Sequence, residues 1–169
     1  TMRYLITIVL TISALFAETK HLIAPDGTTV IIDRDEYGVP HIKADNESAL
    51  FFGQGFAEAY DRLYQIDLNR RAATGRLSEW FGSLAIDVDK DVINTGYTDE
   101  ELLNQFFSSS EDVQNCVLSY VEGINAYTDT MQLYPEEYLP LQYADAEFDT
   151  YTITDAIAFA SFMARMFGK

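Results

Sequence analysis

Two runs of carboxylates have part of the spacing of a calcium loop. Asp33-Arg-Asp-Glu-Tyr-Gly38 carries Asp at the first and third positions and Gly at the sixth, but Tyr37 and Ala44 stand where the fifth and twelfth ligands belong. Asp87-Val-Asp-Lys-Asp91 supplies the first, third and fifth ligands, followed by Val92 and Thr98 at the sixth and twelfth positions. Both lack the bidentate Glu that closes an EF-hand, so both read as solvated turns. Zinc is no better served. His21 and His41 are far apart, and the sequence has neither CxxC nor HExxH. Gly53-Gln-Gly55 lacks the third glycine and the preceding strand of a dinucleotide-binding turn, and no GxSxG elbow is present. Cys116 is the single cysteine, set among Val113, Val117 and Tyr120 at helical spacing, and reads as a buried, inert thiol. His41, just after Pro40, reads as a hydrogen-bonded structural histidine. No nucleophile and base emerge as a pair.

The charges that call for an account are Asp61 and Arg62 with Gln65, followed by Arg70 and Arg71. They stand in a segment whose other residues are largely apolar. A charge inside a protein is costly unless it is paired. We therefore expect a buried network joining Asp61 to Arg62, Arg70 or Arg71, or to the turn at Asp35. Such a network holds a fold rather than performing a reaction.

Periodicity and turn residues lay out the strands and helices that carry these side chains. Thr28 to Asp33 is β-branched and reads as a strand, with His21 to Ala24 as a hairpin partner across Pro25-Asp-Gly27. Asp35-Glu-Tyr-Gly38 is a second turn, and Val39 to Ala44 returns as a strand whose Pro40 favours an edge. Asp45-Asn46 caps a long helix to Thr74, stopped by Gly75. Gly53 and Gly55 inside it predict a kink or a close backbone contact. One or two further turns run from Arg76 to Phe81. Thr98 and Glu101 form a capping box for the next helix. Ser110 caps another, reaching about Met131. Residues 135–140 form a proline loop, and a final helix starts at Thr154 with Ala156, Phe159, Ala160, Met163 and Phe167 on its apolar side. The fold class expected is α+β, mostly helical with short N-terminal strands.

The chain has 169 residues, of which 48% are hydrophobic and 14% aromatic, enough for one core-bearing domain. A formal net charge of −16 argues against nucleic acid and against anionic lipid as partners. Met2-Arg3, the uncharged apolar run Tyr4 to Phe16 and the small Ala17 have the three regions of a secretory signal peptide over residues 1–17, too short for a comfortable membrane span. That predicts a secreted or periplasmic product without stable membrane insertion after cleavage, with an uncleaved anchor as the alternative. The chain ends inside an apolar helix, so truncation at the C-terminus is expected.

The ordered motifs resemble those of the penicillin amidase family of N-terminal-nucleophile hydrolases, in its α-chain region. They are Arg34-Asp35, Gly38-Val-Pro-His-Ile42, Ala44 and Asn46, Ala59, Asp61-Arg-Leu63, Gln65, Arg70-Arg71, Gly75, Glu79 and Gly82, then Gly123-Ile-Asn-Ala126 and Leu139-Pro140. Asp35, Gly38, Pro40, His41, Asp61, Arg62, Gln65, Arg70 and Arg71 are structural positions in that resemblance. Met163-Ala-Arg-Met-Phe167 is similar to the family's acyl-pocket segment, which implies that Met163 and Phe167 bind substrate. There are departures. Ile93-Asn94 stands where the family places an arginine, and Met166 replaces the arginine before the Phe.

The resemblance implies that residues 18–169 are the α-subunit part of a secreted αββα enzyme that cuts itself and cleaves linear amides of the penicillin or N-acyl homoserine lactone type. The nucleophile would begin a β chain from the same precursor, so no catalytic residue is assigned to this chain. The resemblance implies no cofactor within the fragment and a calcium ion in the complete enzyme. The composition also permits a different reading, a secreted acidic helical binding or structural protein, or an inactive scaffold.

Overall fold

The computed structural model describes residues 19–130 and 149–168. The segment 1–17 expected to be a signal peptide, the end of the helix expected to reach Met131, the loop expected at 135–140 and the Leu139-Pro140 motif lie outside the described residues.

Strand β1 (Thr19–Ile23) pairs antiparallel with β2 (Thr29–Arg34), and β2 with β3 (Pro40–Lys43), giving a three-stranded meander in the order β1-β2-β3. The first turn closes as its residues predict. Gly27 adopts a left-handed φ of 86°, and Asp26 accepts from the Thr28 amide at 2.8 Å. Alternation sets the buried face. Val30 and Ile32 of β2 are fully or almost fully buried, and they sit with Phe52, Phe56 and Ala49 in one core cluster. Pro40 begins an edge strand, where its missing donor costs no ladder bond.

Helix α1 (Glu47–Thr74) lies over the sheet. The Asn46 side chain accepts from the Ala49 amide at 2.8 Å, and Gly75 closes the helix with a left-handed φ of 70°. Its glycines mark a close contact and not the kink. A Cβ at Gly55 would lie 2.1 Å from the Tyr120 carbonyl oxygen, and one at Gly123 would lie 2.0 Å from that of Phe52. The two backbones therefore cross in contact, and α1 packs chiefly on α5. The break in α1 falls instead at Arg62, with φ −143° and ψ 27°.

Helix α2 (Ser78–Phe81) and the short 3₁₀ turn Gly82–Leu84 follow, then α3 (Ile86–Thr95). The acidic run Asp87 to Asp91 is thus helical, which corrects its reading as a solvated turn. Asp89 is 5% exposed and accepts from the Leu77 and Ser78 amides at 2.8 and 2.7 Å. It satisfies the free donors at the start of α2, a long-range capping that local spacing does not reveal. Helix α4 (Asp99–Phe107) opens with the expected Thr98–Glu101 capping box, and α5 (Glu111–Thr128) with Ser110. Helix α6 (Ile153–Phe167) starts slightly before the expected Thr154, because Thr152 forms a capping box with Asp155. No helix among the described residues is long and apolar enough to cross a membrane.

Ala59, Leu63, Trp80, Val121, Ile124 and Tyr151 form a second core cluster, in which Tyr64 stacks on Trp80 at 5.3 Å. Cys116 is half-buried. Desolvation, followed by the nearby Glu47 and Asp112 charges, raises its thiol pKa, in keeping with an inert thiol.

Candidate functional site

The β2–β3 turn is built around one carboxylate. Asp35 Oδ1 accepts from the Tyr37 and Val39 amides at 2.9 and 3.0 Å, while Oδ2 lies 3.1 Å from His41 Nε2. The His41 partner, then the Val39 amide, hold the Asp35 carboxyl below its usual range. Gly38 takes φ 79°, a conformation that favours glycine, and its carbonyl accepts from Arg34 Nη1 at 2.8 Å. Asp35, Gly38, Pro40 and His41 therefore form a structural turn, with the His41 side chain 57% exposed.

Arg34 carries this turn to α1. Its Nη2 lies 2.9 Å from Asp61 Oδ1 and its Nη1 donates to Oδ2 at 3.1 Å, a two-pronged pair. The guanidinium also lies over the Tyr60 ring at 4.8 Å, and Lys20 Nζ lies over the same ring at 4.4 Å. Of the expected partners of Asp61, the turn at Asp35 is the one reached, through Arg34. Arg62 and Gln65 are exposed and lie outside any buried network. They line a groove of about 530 Å³ with Gln54, Glu58 and Asn69 on one flank and Tyr120 and Tyr151 on the other. Tyr120 donates to Glu58 Oε2 at 2.5 Å, and burial followed by this bond raises its phenol pKa. With Glu58 engaged by Tyr120 and Asp61 by Arg34, the groove offers binding surface and hydrogen-bonding groups, not a poised acid and base.

Arg70 and Arg71 pair with Asp67, a residue that motif reading passed over. Asp67 is 0%, Arg70 1% and Arg71 4% exposed. Arg70 Nη2 donates to Asp67 Oδ1, and Arg71 Nε donates to Asp67 Oδ2 at 3.1 Å. Arg71 also pairs with Glu79, and Arg70 Nη1 donates to the Asp149 carbonyl oxygen at 2.9 Å. Arg76 joins Glu79 at 2.7 Å and Asp149 at 2.8 Å, and it is the first cause of the lowered pKa of both carboxylates. The i,i+3 and i,i+4 spacing of Asp67 to the two arginines is the signal that could have found it. Buried charge of this density, with every carboxylate engaged, ties α1 to α2 and to the start of α6.

Met163 and Phe167 lie one turn apart on α6. Met163 is half-buried, and Phe167 is 78% exposed. Met166 on the same last turn is also exposed, at 58%. These side chains give the end of α6 an apolar surface. Beside it, a cavity of about 910 Å³ runs between α6 and α3, bordered by Arg165, Ser161, Tyr97 and Gln105.

The family model described as penicillin amidase matches residues 29–169, and the chain belongs to that family. It is 37% identical to penicillin G acylase of Escherichia coli over 112 residues, which cover 66% of this chain and 13% of that protein. It is 36% identical to penicillin acylase 2 proenzyme of Pseudomonas sp. over 109 residues, 64% of this chain and 14% of that protein. A solved thermostable penicillin G acylase from Alcaligenes faecalis superposes with a TM-score of 0.70 at 30% identity, over 83% of this chain and 75% of that chain. The chain thus spans only about an eighth of the length of the curated relatives it matches. The helices and the three-stranded sheet are an α+β portion of the penicillin acylase fold.

Proposed function

We propose that this chain is the α-chain portion of a secreted amide hydrolase, completed by a β chain cut from the same precursor. Residues 18–169 belong to that portion, behind a signal peptide at 1–17. The β chain brings an N-terminal Ser, Cys or Thr, whose side chain attacks the amide carbonyl while its own α-amine acts as base. The products are a carboxylate and the freed amine. Met163 and Phe167 supply part of the apolar wall that receives the acyl group, and penicillin-type amides are the leading substrates, with N-acyl homoserine lactones as the second class.

The observation that carries this reading is the family match over residues 29–169, with relatives named as acylases. The two coverages also support chain processing. The protein spans 75% of the solved acylase chain but 13% of the curated acylase, so the crystallised chain is far shorter than a full-length acylase. Surface chemistry favours a missing partner as well. Both outer edges of the sheet are open among the described residues, and Leu84, Phe107, Tyr37 and Phe167 are each more than 60% exposed. Among the described residues no group of three or more His, Cys, Asp or Glu could hold a metal ion, and a calcium ion in the complete enzyme stays a proposal.

The test is hydrolysis by the mature two-chain protein of aryl-acetyl amides and N-acyl homoserine lactones. Truncating Phe167 or Met163 to Ala is expected to cost about 1–3 kcal/mol in kcat/KM for the preferred apolar acyl group. Equal activity of wild type and both variants on every acyl group would remove these residues from the pocket.

A further inference from the structure

The last turn of α6 is tied to the end of another helix. Arg165 Nη1 donates to the Thr95 carbonyl oxygen at 2.7 Å and reaches the Thr95 hydroxyl at 3.3 Å. Thr95 is the final residue of α3, whose last turn has no basic residue while its first turn carries Asp87 and Asp89. The last carbonyls of a helix have no partner within it and carry partial negative charge. Arg165, 70 residues away in sequence, supplies the donor and the cation that the end of α3 lacks. Asp91 borders the same cavity, but no ion pair joins it to Arg165 among the described residues. The carbonyl bond therefore sets the arginine's place.

This bond has a consequence for the opposite face of α6. Asp155, Ala158, Phe162 and Arg165 follow one another at spacings of three, four and three, which is a single stripe on a helix. Asp155 and Ala158 are its buried part, and Phe162 packs beside Ala158. Met163 and Phe167 stand two residues before and two after Arg165. At about 100° per residue, each lies roughly 160° round the helix from it. Holding Arg165 against α3 fixes the rotation at which Met163 and Phe167 are presented.

We propose that Arg165 is a positioning residue for the acyl-binding face, setting the rotation of the last turn of α6 through its bond to the end of α3. This rests on the acyl-binding reading of Met163 and Phe167. The test compares the mature two-chain enzyme with its Arg165→Ala and Arg165→Lys variants. Two readouts are taken: amide hydrogen exchange over residues 164–168, and KM and kcat on an aryl-acetyl and an acetyl amide of the same amine. In Arg165→Ala, exchange is expected to quicken about tenfold as the last turn opens. KM for the aryl-acetyl amide should rise about fivefold with kcat nearly unchanged, and the acetyl amide should be little affected. Arg165→Lys keeps one donor and the charge, and should recover much of both effects. If Arg165→Ala yields no mature enzyme, Arg165→Lys carries the comparison, with intermediate exchange and an intermediate KM expected. Unchanged exchange overturns the proposal. So does faster exchange with KM unaltered, or altered alike for both amides, because that is a structural role only. A wild type that hydrolyses neither amide defeats the acyl-binding reading and the proposal with it, whereas the other failures leave that reading standing.

Discussion

Asp67 holds the buried charge of α1 together. Two guanidinium groups, 1% and 4% exposed, share its carboxylate, which is itself fully buried. Removing one member of such a group strands the others without solvent, at a cost of about 3–5 kcal/mol. Asp67→Ala should lower unfolding stability by that order in a urea titration. Arg62→Ala, at an exposed groove position, should change it by less than about 0.5 kcal/mol. Equal effects would contradict the assignment. The need for a charge network was legible in the sequence, and so was a link from Asp61 to the turn at Asp35, but the role of Asp67 was not. Asp61 lies before the break at Arg62 and both arginines after it, whereas Asp67 follows the break and shares a face with both arginines. The partner of Asp61 is Arg34, 27 residues away, and no helical spacing announces it.

The crossing of α1 and α5 depends on two glycines in contact with opposing backbone. A methyl group at position 55 or 123 would meet a carbonyl oxygen at 2.1 or 2.0 Å, and backbone cannot move aside as a flexible side chain can. Gly55→Ala and Gly123→Ala should each destabilise by about 3 kcal/mol or more, read as a shift in urea midpoint at constant slope. Neutral substitutions would mean that the helices do not cross there. Gly53 and Gly55 inside a helical pattern predict a kink or a close contact; the contact is what the structure has, and the break lies at Arg62. Elements with their own caps, such as those opened by Asn46, Thr98 and Ser110, were readable because capping is local. Helix α3 was not. Its acidic run has no side-chain cap, and the role of Asp89 is to cap α2, twelve residues back.

Across the molecule, several carboxylates share one pH signature. Asp35, held first by His41, and Glu79 and Asp149, held first by Arg76, all have lowered pKa values. Asp89 is lowered too, since the Ser78 and Leu77 hydrogen bonds outweigh the opposing effect of burial. A depressed folded-state pKa contributes stability that is present above the unfolded value and is lost as pH falls through the folded one. Thermal stability should therefore be nearly flat from about pH 7 to 5 and fall below about pH 4, where ordinary carboxylates titrate. A Tm that rose on acidification through that window would contradict the network.

The open sheet edges and the exposed apolar end of α6 are surface that the proposed β chain would cover. Intact mass and N-terminal sequencing of the purified product of the precursor test that claim most directly. Two associated chains are expected, one carrying the Arg34–Phe167 region and the other beginning with Ser, Cys or Thr. A single uncut chain, with no new N-terminus and no amide hydrolysis, would contradict it.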